Sequence, residues 1–475
     1  MKILAVLVLP CLLLYNASAQ TETKDYREAL HLISVWLEAQ KDYEQLPGIS
    51  VAIGKGQELL WSGAFGHSNV EEDLDMETST LFSICSISKL FTAVAIMKLY
   101  DEQKLRLDDR IEDILTWYDL EQQFPDSGPI TIRSLLTHSS GLPRENAFPH
   151  WNGPDYSSPT GEEIRASLSD QQTLYPASTY FQYSNLGIAL LGEVVEEISG
   201  LDYETYVEMN ILEPLALGHT RPTMPRELHG NELAVGYGVL NRHGKRNRMN
   251  FFEADGLAAA AGFSSNVEDL LEFAQWQFRL LDTVVTEVLK PSTLRYMHKV
   301  HWTDDDWNTT WGLGFNISKA SDDSRWVSHG GYCPGYKTRL QLHPKTKMAY
   351  AVMINSSGGN PAKYILGMHG LIQKVKPVEK ESEAGKIDLI DYQGFYEMEN
   401  EEEWYVTSWE NQLAVLPLPS SDPGETLTIY KPIDHDKFRR VRDDGELGET
   451  MYFNRDSEGK ISGLRVYNYL YTKKG

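Results

Sequence analysis

The stretch 81–100, LFSICSISKLFTAVAIMKLY, constrains the fold more than any other, because it is apolar around its whole circumference and not along one stripe. A helix of that kind is covered on every side, so the chain must build a domain thick enough to surround it. Within the apolar part of the same stretch lies one charged residue, Lys89; a second lysine, Lys98, comes only near its end. An ammonium taken out of water without partners is costly, so its presence calls for a chemical reason.

Ser86 lies three residues before Lys89, and one helical turn brings the two side chains onto one face. Desolvation lowers the pKa of a lysine toward neutrality, where it can accept the proton of a serine hydroxyl. The helix start at Ser86 adds backbone N–H groups and the positive end of a dipole, which favour the oxyanion of a tetrahedral intermediate. Spacing alone does not single out this pair: Ser457 and Lys460 match it within the evident turn SEGK, and Tyr452 and Asn454 repeat a Tyr-x-Asn. Only Ser86 opens a long buried helix. Only there do further elements follow in order, YSN at 183–185 leading into the helix NLGIALLG, and HGG at 329–331 on a predicted strand.

Around this helix the chain is organised in a recognisable order. Residues 48–66 alternate apolar and polar about a Gly-Lys-Gly turn, as a hairpin on a core does. Strand patterns return from 325 (RWVSHGG, YKTRLQLHP, MAYAVMINSS) and end in a helix capped by Asn360 and started by Pro361. The intervening region reads as mostly helical, including 185–199. The expected fold class is therefore α+β: an antiparallel sheet flanked by helices, with the two ends of its chain meeting and an all-helical lobe inserted between them. KVKPVEKESEAGK reads as a linker over 374–388, and 389–475 shows short alternating segments (EWYVTSW, QLAVLPL, TLTIYKP, MYFNRD, LRVYNYLYT) of an all-β, barrel-like domain.

The first 19 residues, one lysine and an apolar run ending in Ala17, Ser18 and Ala19, follow the pattern of a cleavable export signal, with cleavage near Ala19. The main domain then occupies 20–373. No other apolar run reaches the roughly 20 residues of a membrane helix, so the expected location is periplasmic or extracellular, with no transmembrane segment. A formal charge of −24 argues against nucleic acid or anionic lipid as partner. Export leaves Cys85 and Cys333 where disulfides persist, and they permit one bridge or two buried thiols. No metal-ligand cluster competes, GKGQ at 54–57 lacks phosphate-loop spacing, and no cofactor is expected.

Taken together, the motifs resemble those of the penicillin-recognising serine hydrolases: serine β-lactamases, D,D-peptidases, D-aminopeptidases and related esterases. The resemblance covers about 26–375 and extends to LPGISVAI, SLLTHSSGLP, LEPLALGHT, AAGFSSNVEDLLEFA and WGLGF. It implies a β-lactamase/transpeptidase-like fold with Ser86 as the acylated nucleophile and Lys89 as its proton acceptor. Tyr183 stands in the place of the tyrosine that some β-lactamases use as general base, and Asn185 in that of an amide donor to the substrate carbonyl. His329 replaces the usual lysine of the third motif, as in the peptidase and aminopeptidase branch and some esterases; as a cation it would face a substrate carboxylate or the oxyanion. Gly330 and Gly331 would let substrate lie against the strand, and the N–H of Tyr332 would pair with that of Ser86 as an oxyanion hole. Lys337 and Thr338 lack the glycine of a rival third motif, and His138 reads as a satisfied loop residue.

The resemblance also bears on the cysteines, since some β-lactamases carry bridged cysteines at the places of Cys85 and Cys333. Some family members have a C-terminal barrel resembling a lipocalin. Here it is read as a packing or assembly module, which leaves open a homo-oligomer formed through that domain. The expected activity is that of an exported serine hydrolase working through an acyl-serine, on peptides containing D-amino acids. Within the enzyme class the alternative is a carboxylesterase or weak β-lactamase. The alternative of another class is a non-catalytic penicillin- or peptidoglycan-binding sensor. Its partner would be a small-molecule or peptide substrate.

Overall fold

Strict alternation along two adjacent strands divides the main domain into two layers of core. In Gly48–Lys55, Ile49, Val51 and Ile53 face one side of the sheet and Ala52 the other. The neighbouring strand, Met348–Ile354, pairs antiparallel with Ile49 opposite Ile354, so its Tyr350, Val352 and Ile354 join the first side and Ala349, Ala351 and Met353 the second. A register shift by one residue would exchange the two cores. These strands come from the two ends of the domain, and they sit inside a nine-stranded sheet whose strands pair antiparallel.

The structure is a computed structural model that describes residues 24–377 and 388–474. The export-signal pattern and most of the expected linker lie outside the described residues. Among the described residues no helix is long and apolar enough to cross a membrane.

On the back of the sheet lie the helices Arg27–Tyr43 and Pro361–Lys374, whose Trp36, Leu37, Tyr364 and Met368 share a core with the back-facing strand residues. Asn360 caps the second of these helices by accepting the N–H of Ala362. On the front lie the helix Ser88–Asp101, buried on nearly all sides as its composition requires, and the amphipathic helix Val267–Leu281. The helix Asn185–Ser199 packs in the same front layer. The Ser184 hydroxyl accepts the N–H of Gly187 at 2.8 Å, and Gly200 ends the helix with φ of 74°.

The inserted region is less helical than its apolar content implies. Residues 137–160, 171–184 and 229–254 contain no helix. In the first of these, Pro143, Pro149, Pro154 and Pro159 remove N–H donors at short intervals, so no helical turn can propagate. Such loops can place backbone and side chains at angles that a helix cannot.

In the C-terminal domain eight antiparallel strands form a closed barrel, which Glu397 seals by pairing with Thr472. The segment LRVYNYLYT is two strands, Ile461–Val466 and Tyr469–Lys473, separated by a turn at Tyr467. A further strand, Lys437–Val441, escapes sequence reading because Phe438 is the only large apolar side chain within its charged run. Tyr396, Phe438, Met451 and Phe453 form the domain's own core. The alternate residues Tyr405, Ala414, Leu416 and Leu418 belong instead to the core behind the main sheet. Trp36 donates its indole N–H to Ser420 O at 2.9 Å, and Ser420 N–H donates to Gln40 Oε1 at 3.0 Å. The barrel is thus docked behind the sheet, on the side opposite the helix that carries Lys89.

Trp36 is fully buried at this junction. Truncating it to alanine should cost about 3–5 kcal/mol in denaturant unfolding monitored by circular dichroism, the range for a large aromatic in a core. Trp36→Phe should cost less, since it keeps most of the apolar volume and loses one hydrogen bond.

Candidate active site

Ser86 lies in a short 3-10 turn, Cys85–Ile87, that runs directly into the helix Ser88–Asp101. Its Oγ is 3.1 Å from Lys89 Nζ, and that nitrogen also donates to Ala260 O at 2.7 Å. Lys89 is 1% exposed, and burial holds its pKa down to about 7; Glu145 nearby pulls it up and Arg144 pushes it down. In its neutral form the amine can keep one proton on Ala260 O and offer its lone pair to the Ser86 hydroxyl. The fold thereby places a buried amine of lowered pKa against a serine hydroxyl, the arrangement that activating a nucleophile would need.

Tyr183 is brought to the same place by the irregular loop before Asn185. Its ring lies 5.0 Å from Lys89 Nζ and 4.9 Å from the Arg144 guanidinium, and His138 packs on it with ring centroids 4.2 Å apart. Burial raises the phenol above its usual range, and Ser86 beside it offsets this only in part. Of the two expected proton acceptors, Lys89 is therefore the one whose basicity the environment prepares, while Tyr183 stands as a neutral hydroxyl.

His138 does more than fill a loop. Its Nδ1 accepts the N–H of Ser184 at 3.2 Å, so its proton is on Nε2, and burial keeps it uncharged. It holds the tyrosine ring from behind and joins an aromatic wall with Phe181 and Trp311.

Asn185 donates from Nδ2 to Glu145 Oε1 at 2.6 Å, which commits one of its two N–H groups; its Oδ1 has no protein partner. Glu145 and Arg144 directly follow SLLTHSSGLP and were not singled out in the sequence. Their signal was two adjacent charges in an otherwise small and apolar loop. Burial pushes the Glu145 carboxyl up, but the polar edges of His150 and Trp151 beside it and the hydrogen bond from Asn185 outweigh it and hold the group below the ordinary range.

His329 lies on the strand Arg325–Cys333 with its side chain toward the front. Of the charged and neutral roles open to it, the surroundings favour the neutral ring. His329 Nδ1 is 2.8 Å from Gly330 O, and a carbonyl can only accept, so Nδ1 carries the proton. Burial, with Lys89 close by, pushes the imidazole pKa down to about 3, so the ring is neutral and its Nε2 lone pair is left without a protein partner. Trp311, whose indole N–H is also unpartnered, packs edge-on at 5.6 Å.

The two glycines have separate reasons. A Cβ on Gly331 would fall 2.2 Å from Ile84 O, so this residue must be glycine for the strand to pass the serine turn. A Cβ on Gly330 would meet nothing closer than 3.6 Å. That position points to the back of the sheet and not toward a substrate. The neighbouring strand Asn316–Lys319 pairs only as far as Ser328, so the edge of the strand is free from His329 onward. Tyr332 continues this free edge with its side chain 64% exposed.

Cys333 shares the front face with His329 and Gly331 and is bonded to Cys85, with Cα atoms 5.7 Å apart. Cys85 has a left-handed backbone, φ 51°, immediately before Ser86. The bond therefore ties the serine turn to the strand at a residue whose backbone is itself strained. Closing a loop between residues 248 apart stabilises by at most about 5 kcal/mol in the chain-entropy model. Cys333→Ala should lower the unfolding free energy by up to that amount and slow acylation of Ser86. In the oxidised, denatured protein neither Cys85 nor Cys333 should react with a thiol-alkylating reagent.

Comparison with known proteins bears on the family and the fold. Over 304 residues the chain is 26% identical to penicillin-binding protein 4* of Bacillus subtilis, covering 61% of this chain and 64% of that protein. Over 300 residues it is 29% identical to beta-lactamase-like protein 4 of Dictyostelium discoideum, covering 59% and 52%. The chain thus spans little more than half the length of these curated relatives. Among solved structures, an octameric penicillin-binding protein homologue from Pyrococcus abyssi shares the fold over 94% of this chain and 100% of its own, with a TM-score of 0.63 and 24% identity. A D-stereospecific amidohydrolase from Streptomyces sp. shares it over 72% and 98%, with a TM-score of 0.59 and 22% identity. With the Beta-lactamase family model matching residues 36–369, the chain belongs to that family of serine hydrolases.

Proposed function

We propose that the chain is an exported peptidase or amidase that cleaves peptides containing D-amino acids through an acyl-serine intermediate. The observation that carries the reading is the contact between Ser86 Oγ and a buried Lys89 whose pKa sits near neutrality. In the first step Ser86 Oγ attacks the scissile carbonyl while Lys89 Nζ takes the hydroxyl proton. The N–H groups of Ser86 and Tyr332 would hold the resulting oxyanion, and the free edge from His329 to Tyr332 would align the peptide. Collapse of the intermediate returns the proton, through the Tyr183 hydroxyl, to the departing amine. Water then attacks the ester, with Lys89 again accepting the proton, and the Ser86 hydroxyl is restored.

The preference for a D-peptide rests on histidine in the third motif and on the likeness of fold to the D-stereospecific amidohydrolase. An ester substrate uses the same nucleophile, and the fold is shared equally with the hydrolase EstCE1, with a TM-score of 0.61 at 20% identity. The octameric homologue favours a homo-oligomer, with the barrel as the contacting module.

Ser86→Ala should reduce turnover about 10,000-fold or more and abolish labelling by a fluorophosphonate probe, whereas Ser457→Ala should do neither. An adduct still seen by intact-mass spectrometry in Ser86→Ala would refute the nucleophile. On matched p-nitroanilides the D-isomer should be cleaved faster than the L-isomer and faster than a cephalosporin is opened; the reverse order would refute the substrate class.

The pH dependence follows from two groups. Lys89 acts as a base only when neutral, so kcat/KM should rise with pH and level off above about 7. His329, already neutral well below that, contributes no falling limb between pH 6 and 9. A decline centred near pH 7 that disappears in His329→Gln would reinstate an imidazolium in the mechanism.

A further inference from the structure

Behind the strand that carries His329, the sheet, the closing helix Pro361–Lys374 and the short barrel helix Pro423–Thr426 enclose a cleft of about 660 Å³. This volume falls in the range of small-molecule sites. The cleft lies on the opposite face of the sheet from Ser86, and the chemistry described above uses none of its side chains.

Arg339 forms its floor. On the strand Tyr336–His343, Thr338, Leu340 and Leu342 face the serine side and Arg339, Gln341 and His343 face back. Opposite Arg339 in register stands Gly330, and a Cβ there would lie 3.8 Å from Arg339 Nη1, so the guanidinium rests over the bare glycine. Its known partners are both neutral: Nε donates to Gln341 Oε1 at 2.8 Å, and Nη2 to Ser328 Oγ at 3.1 Å. Nη1 makes no hydrogen bond, and among the described residues no carboxylate comes within 4.0 Å of the group. A guanidinium does not shed its charge when buried, so this half-buried one, held by neutral partners alone, keeps a positive charge facing the cleft.

Some of the other charges around the cleft are engaged, while Lys374 and Glu425 also line it with no ion pair among the described residues. Lys319 pairs with Asp323 at 2.6 Å, and Asp322 with Lys345 at 2.8 Å. Asp422 caps its own helix by accepting the N–H of Glu425. Trp326 and Leu366 supply an apolar part of the remaining wall, beside the polar Ser318, Gln341 and Gln373. Trp326 packs against His343 and His369 at 4.6 and 4.8 Å, and Leu366 is 58% exposed.

We propose that this cleft is a second binding site, which takes a small monocarboxylate with an apolar body. The carboxylate sits on the open Nη1 and Nη2 fork of Arg339, and the body lies between Trp326 and Leu366. A fork of two parallel N–H donors matches a planar carboxylate better than any other common anion of this size. The site does not depend on which acyl donor Ser86 accepts.

The test is calorimetric titration of the full chain with sodium benzoate, and with benzamide as the uncharged isostere. Benzoate should bind saturably at one site per chain and at least tenfold more tightly than benzamide. Arg339→Gln should weaken benzoate binding tenfold or more. Leu366→Glu, an exposed substitution that leaves the core intact, should do the same by placing a negative charge at the mouth, and it decides the matter if Arg339→Gln fails to fold. Turnover at Ser86 should stay within twofold of the parent in both variants. No saturable benzoate binding, equal binding of benzamide, or binding unchanged in Leu366→Glu would each overturn the proposal.

Discussion

Everything at the candidate site depends on the cost of burying Lys89. Within the serine helix the ammonium is 1% exposed and, among the described residues, has no carboxylate in contact; its partners are the Ser86 hydroxyl and the Ala260 carbonyl. The ion is therefore not stabilised enough to hold its proton at neutral pH, and the neutral amine is the useful species. The same absence of water makes Tyr183 keep its proton and His329 lose one. One physical cause, desolvation, sets three protonation states in directions that fit the proton path proposed above.

That path needs the serine turn and the third-motif strand to keep their distance. Two constraints hold them. Gly331 lets the strand pass within contact of Ile84, and the bond from Cys85 to Cys333 ties the two elements beyond that contact. Thr338 adds a hydrogen bond from its hydroxyl to Ile84 O at 3.0 Å. The strained backbone at Cys85 is thus overdetermined by its surroundings, as a residue next to a nucleophile must be if its hydroxyl is to stay aimed.

The barrel follows a different logic. Its interior is filled by its own aromatic side chains, and it spends one outward face on the helices behind the sheet. It therefore stands apart from the Ser86 side within a chain, while its docked helix completes a cleft on the back. The His-Gly-Gly strand is shared by both faces, with His329 and Gly331 turned to the front and Gly330 to the back.

By itself the sequence determined what depends on local periodicity and on residue type. The buried helix, the hairpin, the helix 185–199, the closing helix with its Asn360 cap and the pairing of Ser86 with Lys89 were all legible, because each rests on neighbours within one or two turns of chain. The three motifs and their order were legible as a resemblance. What only the tertiary structure decided rests on contacts between distant segments. Arg144 and Glu145 reach Tyr183 and Asn185 through a loop with no periodic signal. The Ala260 carbonyl is backbone and leaves no mark in side-chain chemistry. The neutral state of His329 was hidden because a histidine's charge is set by how much water the surrounding fold leaves it, and Arg339 becomes noticeable only once pairing with Gly330 places it over an empty cleft. Desolvation and register belong to the assembled chain, and they converted a recognisable set of residues into a site with defined protons.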